Sequence, residues 1–454
     1  MSLVPRSMAK KKVYKSQNCF CFGTVSSHEG KYGMFDSKKN KTKFAHVREV
    51  QVEDPLVKDQ EDRRGNDDAF TVINDVSQLE WFFNPSDNGG AKNKKKKSHG
   101  LLKAMKQSVE TKVETQTLYF SDYKSKRCGF VQLLYSSVLG GLYKGFQLNF
   151  KVFSCVDEEV KCDVWESFKL DEVSAFEPLK FVSKNVSFEF KEIEFKDNIY
   201  DKFATLHIRA DIPQQDNNVK DLKLEMDVSL LPGFMINPDG CNYYLDKAVA
   251  LDKLYSEESN KMIRHVFIPK GVADGKITYK KLNSKSGKYD DFSILLTNSP
   301  IVYIDAVQGL QPNKAASRWN FLCFQSEHHS VLCMEFTTTS EHGNKTMTIW
   351  STSEDGKLKT IGSSLDKHKV KFNKTHKDKE NGWDYPTSIQ FPADFHEDHL
   401  RLINRYDVLG ELPGVVKSVA QNIAHIKPYI YQYCQESTYK NEKGVSIVES
   451  TFIS

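Results

Sequence analysis

Apolar and polar residues alternate with a period of two over long stretches of this chain. In "DLKLEMDVSL" (Asp221–Leu230), one face is mostly charged, and the other carries Leu222, Leu224, Met226, Val228 and Leu230. "VSFEFKEIEF" (Val186–Phe195) shows the same alternation for much of its length. Successive side chains of a β-strand point to opposite faces of the sheet, so this period predicts strands with one buried face.

Further strand-like runs fill most of the chain from Leu79 onward. Three of them are "TQTLYFS", "GFVQLLYS" and "GFQLNFKVF". A second series begins near Met262 and includes "RHVFIPKG", "GKITYKKL", "SILLTNS", "RWNFLCFQS", "HSVLCMEFTTT", "KTMTIWST", "KLKTIGSS", "TSIQF", "PYIYQY" and "VSIVESTF". Many strands with short polar turns and little helix predict an all-β sandwich or barrel architecture.

One predicted hairpin contains residues that could bind a metal. Two alternating runs are joined by "SEHHS", which places His328 and His329 in a polar turn. Cys323 and Cys333 then lie several residues along the strands, too far away to complete one tetrahedral site easily. The two histidines of "FHEDHL" lack the HExxH arrangement, and the chain has no phosphate-binding or nucleotide-binding glycine motif. We therefore expect no metal, no cofactor and no catalytic residue.

Two stretches have helical periodicity instead. "ELPGVVKSVAQNIAHI" (Glu411–Ile426) has an apolar stripe at helical spacing and predicts a short helix. In "GLLKAMKQSV" (Gly100–Val109), Leu101, Leu102 and Met105 can share a face, directly after the basic run Lys94, Lys95, Lys96 and Lys97. A basic run beside an amphipathic segment is typical of contact with anionic membranes. More often, a lysine run is simply a solvated loop.

Composition and charge narrow the choice of partners. Hydrophobic residues make up 39% of the 454 residues and aromatic residues 12%, enough for buried, strand-rich cores. The net charge is +4, but residues 1–50 contain 11 Lys and Arg against 3 Asp and Glu, and residues 89–107 contain 7 Lys and no acidic residue. The remainder is therefore acidic. In a nucleic-acid-binding domain the basic patch belongs to the fold, so we expect no nucleic-acid partner.

The chain shows no apolar run long enough for a transmembrane helix and no signal peptide. Its nine cysteines are irregularly spaced, which does not indicate a disulfide framework. These observations predict a cytoplasmic protein.

Several longer motifs resemble those of a known family. They are "QGLQPNKAASRWNFLCFQS" (Gln308–Ser326), "MEFTTT" (Met334–Thr339), "KPYIYQY" (Lys427–Tyr433), the ending "TFIS", "LYFSD" and "RHVFIPKGVADGKI". Together they closely resemble the fungal survival factor 1-like family over roughly Leu79 to Ser454. The polar N-terminal segment and an additional basic stretch depart from that family's pattern, which favours a paralogue over the founding member.

The resemblance implies an all-β fold of two lipocalin-like (calycin) barrels in tandem, with a short helix in the C-terminal domain. It also implies a link to survival under oxidative stress and cold. A founding member looks like a carrier of ceramide between endoplasmic reticulum and Golgi. We therefore expect a non-enzymatic lipid-binding protein, with a nuclear pool and peripheral contact with those membranes as further expected locations.

This fold predicts a division of the chain into four parts. Residues 1–7 ("MSLVPRS") resemble a tag remnant, and residues 8–78 form a polar N-terminal segment. The first barrel spans 79–255, with a basic insertion at about 89–112, and the second spans 256–454. No amphipathic helix is evident before residue 75, so we hypothesise that the insertion replaces the missing membrane anchor.

Within the matched motifs, we expect the lipid to contact His265, Phe267, Trp319 and Phe321. A barrel of about eight strands has an interior just wide enough for one small ligand. The alternative is that Trp319 and the phenylalanines fill a closed core, because one sequence does not fix which way each strand faces. A buried histidine is also more often satisfied by protein partners than by a ligand.

Two other functions stay open at this point. A lipid hydratase or isomerase would need convergent acid and base groups inside a barrel, and the sequence offers only His265 as a candidate. A stress-linked interaction protein with filled barrels would need no ligand.

Overall fold

A computed structural model gives the tertiary structure of this chain. It describes residues 34–35, 43–45, 49–53, 70–83, 111–138, 143–156, 163–193, 202–213, 218–245, 261–408 and 428–453. The predicted helix Glu411–Ile426 lies outside the described residues, and so do the predicted membrane-contact residues Lys94, Lys95, Lys96, Lys97, Leu101, Leu102 and Met105. No described helix is long and apolar enough to cross a membrane.

Strands dominate the described residues and pair antiparallel in three sheets; they are numbered along the chain. The large sheet contains β1 (Met34–Phe35), β2 (Lys43–Ala45), β4 (Phe70–Ile73), β5 (Lys112–Asp122), β6 (Arg127–Val138), β7 (Tyr143–Ser154), β8 (Val164–Leu170), β9 (Ala175–Glu177), β10 (Lys180–Val182), β11 (Val186–Glu192), β12 (Ala204–Ile212), β13 (Val219–Leu230), β14 (Gly233–Ile236), β15 (Cys241–Leu245), β16 (Met262–Leu282) and β17 (Tyr289–Gln308). The eight-stranded sheet contains β3 (Val50–Glu53), β18 (Arg318–Gln325), β19 (His329–Thr337), β20 (Thr346–Glu354), β21 (Lys357–Leu365), β25 (Leu402–Asp407), β26 (Tyr429–Tyr439) and β27 (Glu442–Phe452). The three-stranded sheet contains β22 (Lys371–Lys377), β23 (Asp384–Phe391) and β24 (Phe395–Glu397).

Helix is confined to single turns in the described part of the chain: Val76–Leu79, Asn237–Gly240, Pro312–Ala315 and Ser340–His342. The predicted all-β class is therefore confirmed. In β13, the five apolar residues predicted to share a face are all buried, while Lys223, Glu225 and Asp227 are exposed. The period-two pattern had a direct physical cause there, because one face of the strand lies on a core and the other faces water.

The large sheet curls because its two longest strands bend. The pairing of β16 with β17 shifts register between Ile268 and Gly271, and again between Ala273 and Gly275. Such bulges bend a strand and increase its twist. At Gly271 an added Cβ would lie 2.7 Å from the carbonyl oxygen of Ser229, so the strands approach here only because the residue is glycine.

The two ends of the curled sheet meet through aromatic rings. Its strand order is β8-β7-β6-β5-β17-β16-β13-β12-β11-β10-β9. Phe146 of β7 lies 4.7 Å from Phe181 of β10, and Tyr135 of β6 lies 5.5 Å from Phe176 of β9, between ring centroids. The concave face therefore encloses a large apolar cluster, here called the concave core.

The three sheets stack in layers, with the eight-stranded sheet in the middle. Alternate residues of its strands face the sheets on either side. Phe321 and Cys323 of β18 pack against the convex side of the large sheet, in what we call the inter-sheet core. Leu322 and Phe324, the residues that alternate with them, face the three-stranded sheet instead. The eight-stranded sheet is therefore buried on both faces, which explains its nearly continuous apolar sequence.

The strand pairing also shows where the N-terminal segment lies and where the chain passes from one sheet to the next. Short strands of the polar N-terminal segment extend two sheets: β2 pairs with β15 in the large sheet, and β3 pairs with β21 in the eight-stranded sheet. The strands β16 and β17 pair with β13 and β5, so the chain leaves the large sheet between Gln308 and Arg318. The barrel boundary predicted near residue 255 stays a prediction. The chain passes from the large sheet to the eight-stranded sheet after that position, between β17 and β18.

Candidate functional site

Five polar residues interrupt the apolar concave face of the large sheet. On the adjacent strands β5 and β17, Gln116 lies directly opposite Asp305. Glu114 and Tyr303, each two residues away, share their face with these residues. Arg264 of β16 projects to the same face and reaches Asp305. We call these five residues the polar cluster.

Burial makes the charges in the polar cluster interact strongly. Glu114, Gln116 and Asp305 have 0% of their surface exposed, and Arg264 has 8%. Arg264 Nη1 donates a hydrogen bond to Asp305 Oδ2 at 2.9 Å. Burial raises the pKa of Asp305 to about 6, and the positive charge of Arg264 opposes that rise.

Glu114 ties the segment after the Val76–Leu79 turn to the polar cluster. Its carboxylate accepts hydrogen bonds from the backbone N–H of Phe82 at 2.7 Å and of Phe83 at 2.9 Å. Burial, followed by the negative charge of Asp305, raises the pKa of Glu114 to about 8. Since two nearby buried carboxylates resist double ionisation, the cluster retains a proton at neutral pH.

Four buried atoms of the polar cluster have no hydrogen-bond partner among the residues that the structure describes. They are Nε2 and Oε1 of Gln116, the hydroxyl oxygen of Tyr303 and Oδ1 of Asp305. An unpaired buried polar group costs about 1–3 kcal/mol, so four in one place indicate a site for a polar ligand group. They offer an amide donor, an amide acceptor, a carboxylate acceptor and a hydroxyl.

The surroundings of these atoms are apolar. The ring of Tyr303 meets Phe190 of β11 edge-on across the concave core, with centroids 5.7 Å apart. Leu118, the next residue along the face of β5 after Gln116, belongs to the concave core. An apolar wall with a few convergent polar groups at one end is the usual composition of a small-molecule site.

The four residues that the sequence predicts as lipid contacts lie on the other side of the large sheet. His265 and Phe267 face the inter-sheet core, where their rings stack at 5.4 Å. Trp319 approaches His265 edge-on at 6.1 Å, and Phe321 packs nearby against Tyr119 at 5.0 Å. The structure thus brings His265, Phe267 and Trp319 together, but away from the polar cluster. Their role as lipid contacts stays a prediction.

His265 is also separated from the carboxylates that an acid–base enzyme would use. Burial, followed by the positive charge of Arg264, lowers the pKa of His265 to about 3, so the ring is neutral. Its Nδ1 has no hydrogen-bond partner within the described ranges. Because β16 lies between this ring and Asp305, the two groups do not converge on one site.

The predicted hairpin around "SEHHS" is confirmed by the pairing of β18 with β19. Both histidines pair with carboxylates: His328 Nδ1 lies 2.8 Å from Asp355 Oδ1, and His329 Nδ1 lies 2.5 Å from Glu442 Oε2. The two cysteines of the hairpin lie on opposite faces of the sheet. In the part of the chain that the structure describes, no group of three or more His, Cys, Asp or Glu could hold a metal ion.

An open groove of about 850 Å³ on the outer face of the large sheet is not a stronger candidate. Four of its ionic side chains form two pairs, Arg209 with Glu225 at 3.2 Å and Lys223 with Asp211 at 3.6 Å. These charged side chains are exposed to water, and each already has a partner of opposite charge. The groove lies on the opposite face of the sheet from the polar cluster.

Sequence reasoning missed the polar cluster, although its pattern is visible. In "VETQTLYF", Glu114 and Gln116 occupy the same alternate positions as Leu118 and Phe120. In "IVYIDAV", Asp305 falls in register with Ile301, Tyr303 and Val307. Polar residues in the buried register of an otherwise apolar strand indicate either a structural network or a ligand site.

The fold and the site define a class: an all-β protein whose curled sheet encloses an apolar core with an incompletely hydrogen-bonded polar cluster at one end. The chain belongs to the Svf1 family, whose family model matches residues 35–454. This finding confirms the family predicted from the sequence motifs.

Two relatives and one solved structure are similar to this chain. The SVF1-like protein YDR222W of Saccharomyces cerevisiae is 54% identical over 428 residues, which cover 93% of this chain and 100% of that protein. The ceramide-binding protein SVF1 of Candida albicans is 30% identical over 364 residues, 76% of this chain and 85% of that protein. The crystal structure of CghA with Sch210972 matches with a TM-score of 0.48 and 11% identity, covering 76% of this chain and 89% of that chain. A score that low supports no conclusion about function.

Proposed function

We propose that this chain binds a ceramide-like lipid without changing it chemically. The lipid's headgroup would lie at the polar cluster and its hydrocarbon chains along the concave core. The observation that supports this most directly is the set of unpartnered atoms on Gln116, Tyr303 and Asp305. The relative named ceramide-binding protein SVF1 supports the same class of ligand.

The headgroup chemistry matches the cluster atom by atom. A ceramide headgroup has one secondary amide and two hydroxyl groups. Gln116 can accept from the amide N–H through Oε1 and donate to the amide carbonyl through Nε2. Asp305 Oδ1 can accept from one hydroxyl, and the Tyr303 hydroxyl can donate to or accept from the other. Each bond would satisfy an atom that is otherwise buried and unpaired.

The hydrocarbon chains supply most of the driving force. Burial of each CH₂ is worth about 0.8 kcal/mol, so a 16-carbon chain costs roughly 12 kcal/mol to expose to water. The concave core offers an apolar surface of the required kind. Ring contacts across the concave core, such as that between Phe190 and Tyr303, must separate to admit a chain.

One observation favours a second candidate, a lipid hydratase or isomerase. Burial raises the pKa of Glu114 to about 8 and that of Asp305 to about 6, which are values suited to proton transfer near neutral pH. Both candidate functions use the same headgroup site, and they differ in whether the lipid is altered. Location in the cell, and membrane contact through the basic insertion, stay predictions.

Native mass spectrometry of the full chain tests the proposal. After incubation with phosphatidylcholine vesicles that contain C16 ceramide, we expect one bound ceramide of unchanged mass. Gln116→Leu removes both amide atoms at similar volume and should reduce bound ceramide at least about tenfold, the effect of losing roughly 1.4 kcal/mol.

Gln132→Leu is the matched control. Gln132 lies on the neighbouring strand β6 and faces away from the concave core, where it is hydrogen-bonded to Thr117 at 2.8 Å and Asn149 at 2.7 Å. This variant should keep ceramide binding. Because Gln116→Leu removes unpaired buried groups, its unfolding midpoint should equal or exceed that of the unchanged chain, which separates lost binding from lost folding.

Three other outcomes would contradict the proposal, in whole or in part. Equal binding by both variants would exclude the polar cluster as the headgroup site. A ceramide of altered mass would favour the enzyme. No uptake by the unchanged chain would reject lipid binding and favour a protein with a filled core.

A further inference from the structure

Three cysteines meet where the large sheet packs on the eight-stranded sheet. Cys128 lies on β6, Cys155 directly follows β7, and Cys434 lies on β26. They have 0%, 3% and 0% of their surface exposed, respectively. The Sγ atoms of Cys128 and Cys434 are 2.9 Å apart, although the residues are separated by 306 positions in the sequence. We call these residues the thiol cluster.

Hydrogen bonds hold the thiol cluster in place from both sheets. Arg401 Nη1 donates to the carbonyl oxygen of Ser154 at 2.8 Å and to that of Cys434 at 3.1 Å. This bridge fixes the end of β7 against β26. On the other side, the backbone N–H and the thiol of Cys155 donate to the carbonyl oxygen of Lys126 at 2.9 and 3.0 Å. The approach of the two thiols is therefore part of the packed interface.

The three thiols differ in acidity. The hydrogen bond from Cys128 lowers the pKa of Cys155, and the positive charge of Lys126 contributes in the same direction. Burial raises the pKa of Cys128 and that of Cys434. Cys155 is thus the most acidic of the three thiols.

We propose that Cys128 and Cys434 are a modification site, at which a hydroperoxide forms a reversible disulfide that joins the two sheets covalently. The sulfur of Cys128 attacks the peroxide, and the departing oxygen takes up the proton that the Cys128 thiol loses. The O–O bond breaks, leaving a sulfenic acid on Cys128 and releasing water or an alcohol. The sulfur of Cys434 then attacks Cys128, the S–S bond forms, and the departing hydroxide takes the thiol proton as water. Two thiols are oxidised and one peroxide is reduced.

This site is independent of lipid binding. The thiol cluster lies on the convex side of the large sheet, within the inter-sheet core. The polar cluster lies on the concave side. The disulfide would lock the packing of the two sheets whether or not the concave core holds a lipid.

Thiol mapping of the full chain tests the proposal. The reduced protein is treated with hydrogen peroxide, alkylated and digested without reductant. We expect a linked pair of peptides containing Cys128 and Cys434, which separates on treatment with dithiothreitol, and an upward shift of the melting temperature in the oxidised protein. Cys434→Ala should abolish both results, and Cys128→Ala provides a second, independent loss.

Cys333→Ala is the matched control, because Cys333 is equally buried but faces the three-stranded sheet. It should form the Cys128–Cys434 link as the unchanged chain does. The proposal is overturned if both thiols stay free for alkylation after peroxide, or if Cys128 links to Cys155 instead. Loss of the link in the Cys333 variant would also overturn it, because the reaction would not then depend on the close pair.

Discussion

At the scale of single residues, the polar cluster lowers the stability of the fold, and its unpaired atoms are suited to binding a ligand. Gln116, Tyr303 and Asp305 hold buried atoms that no described residue satisfies. An apolar residue in place of Gln116, or a phenylalanine in place of Tyr303, would pack without that cost. Their chemistry is therefore explained better by a ligand than by folding, and this is why the site stands apart from the rest of the concave core.

The carboxyl of Glu114 gives a prediction about pH. Its pKa rises from about 4.5 to about 8 on folding, so the folded chain keeps a proton that the unfolded chain releases. The contribution to stability is fully present below pH about 4.5 and is lost as the pH rises through about 8. Between these values, the free energy of unfolding should fall by up to about 1.4 kcal/mol per pH unit relative to Glu114→Gln.

Urea denaturation at a series of pH values measures this difference in slope. Glu225→Gln is the control, because Glu225 is exposed and pairs with Arg209 on the outer face of the sheet. It should have the same pH dependence as the unchanged chain. If Glu114→Gln also has that dependence, Glu114 is ionised in the folded protein and the proton assigned to the polar cluster is absent.

At the scale of elements, close approach between neighbouring strands depends on glycine. The indole ring of Trp350 on β20 lies over Gly362 on β21, and the two residues are directly opposite in register. An added Cβ at Gly362 would lie 2.0 Å from the Trp350 ring. Trp350 is buried toward the three-stranded sheet, so it has little freedom to move away.

Gly362→Ala should therefore lower the free energy of unfolding by about 2 kcal/mol or more, in the upper range for overpacking. Gly145→Ala in β7 is the matched control, since an added Cβ there meets nothing within 4 Å. It should change stability little. Denaturation midpoints of the two variants give the comparison, and equal midpoints would show that the Trp350 ring relocates at low cost.

At the scale of the whole molecule, the inter-sheet core joins the large and eight-stranded sheets into one cooperative unit. Phe321 is central to it, because its ring packs on Tyr119 of β5 at 5.0 Å and is 4% exposed. Phe321→Ala should lower the free energy of unfolding by about 3–5 kcal/mol. Hydrogen exchange should increase in β5 and β18 together.

Leu295→Ala is the control for this prediction, since Leu295 is 65% exposed on β17. It should leave both strands protected. Phe321 was also predicted as a lipid contact, and the same variant tests that role. If Phe321→Ala loses ceramide binding while its stability and hydrogen exchange stay unchanged, Phe321 contacts lipid and does not hold the sheets together.

The hairpin around Ser326 and the strand from Val219 to Leu230 could be predicted because their pattern is local. A strand with one buried face shows its period directly, and a polar turn between two such runs determines a hairpin. The motifs of the second half also identified the family without any structure. The lipid contacts were chosen from those motifs, and motif membership does not reveal which side of a sheet a residue faces.

The sequence by itself determined the all-β class, the family and the alternation that buries one face of strands such as β13, because each follows from residues close together in the chain. Only the tertiary structure decided which buried face belongs to the concave core and which packs between sheets. Glu114 and Gln116 on β5 meet Asp305 on β17, and Cys128 on β6 meets Cys434 on β26, through pairing and packing across most of the chain. The period-two pattern does not tell which face of a strand a neighbouring sheet will cover. The polar cluster and the thiol cluster therefore form only when the sheets have curled and packed.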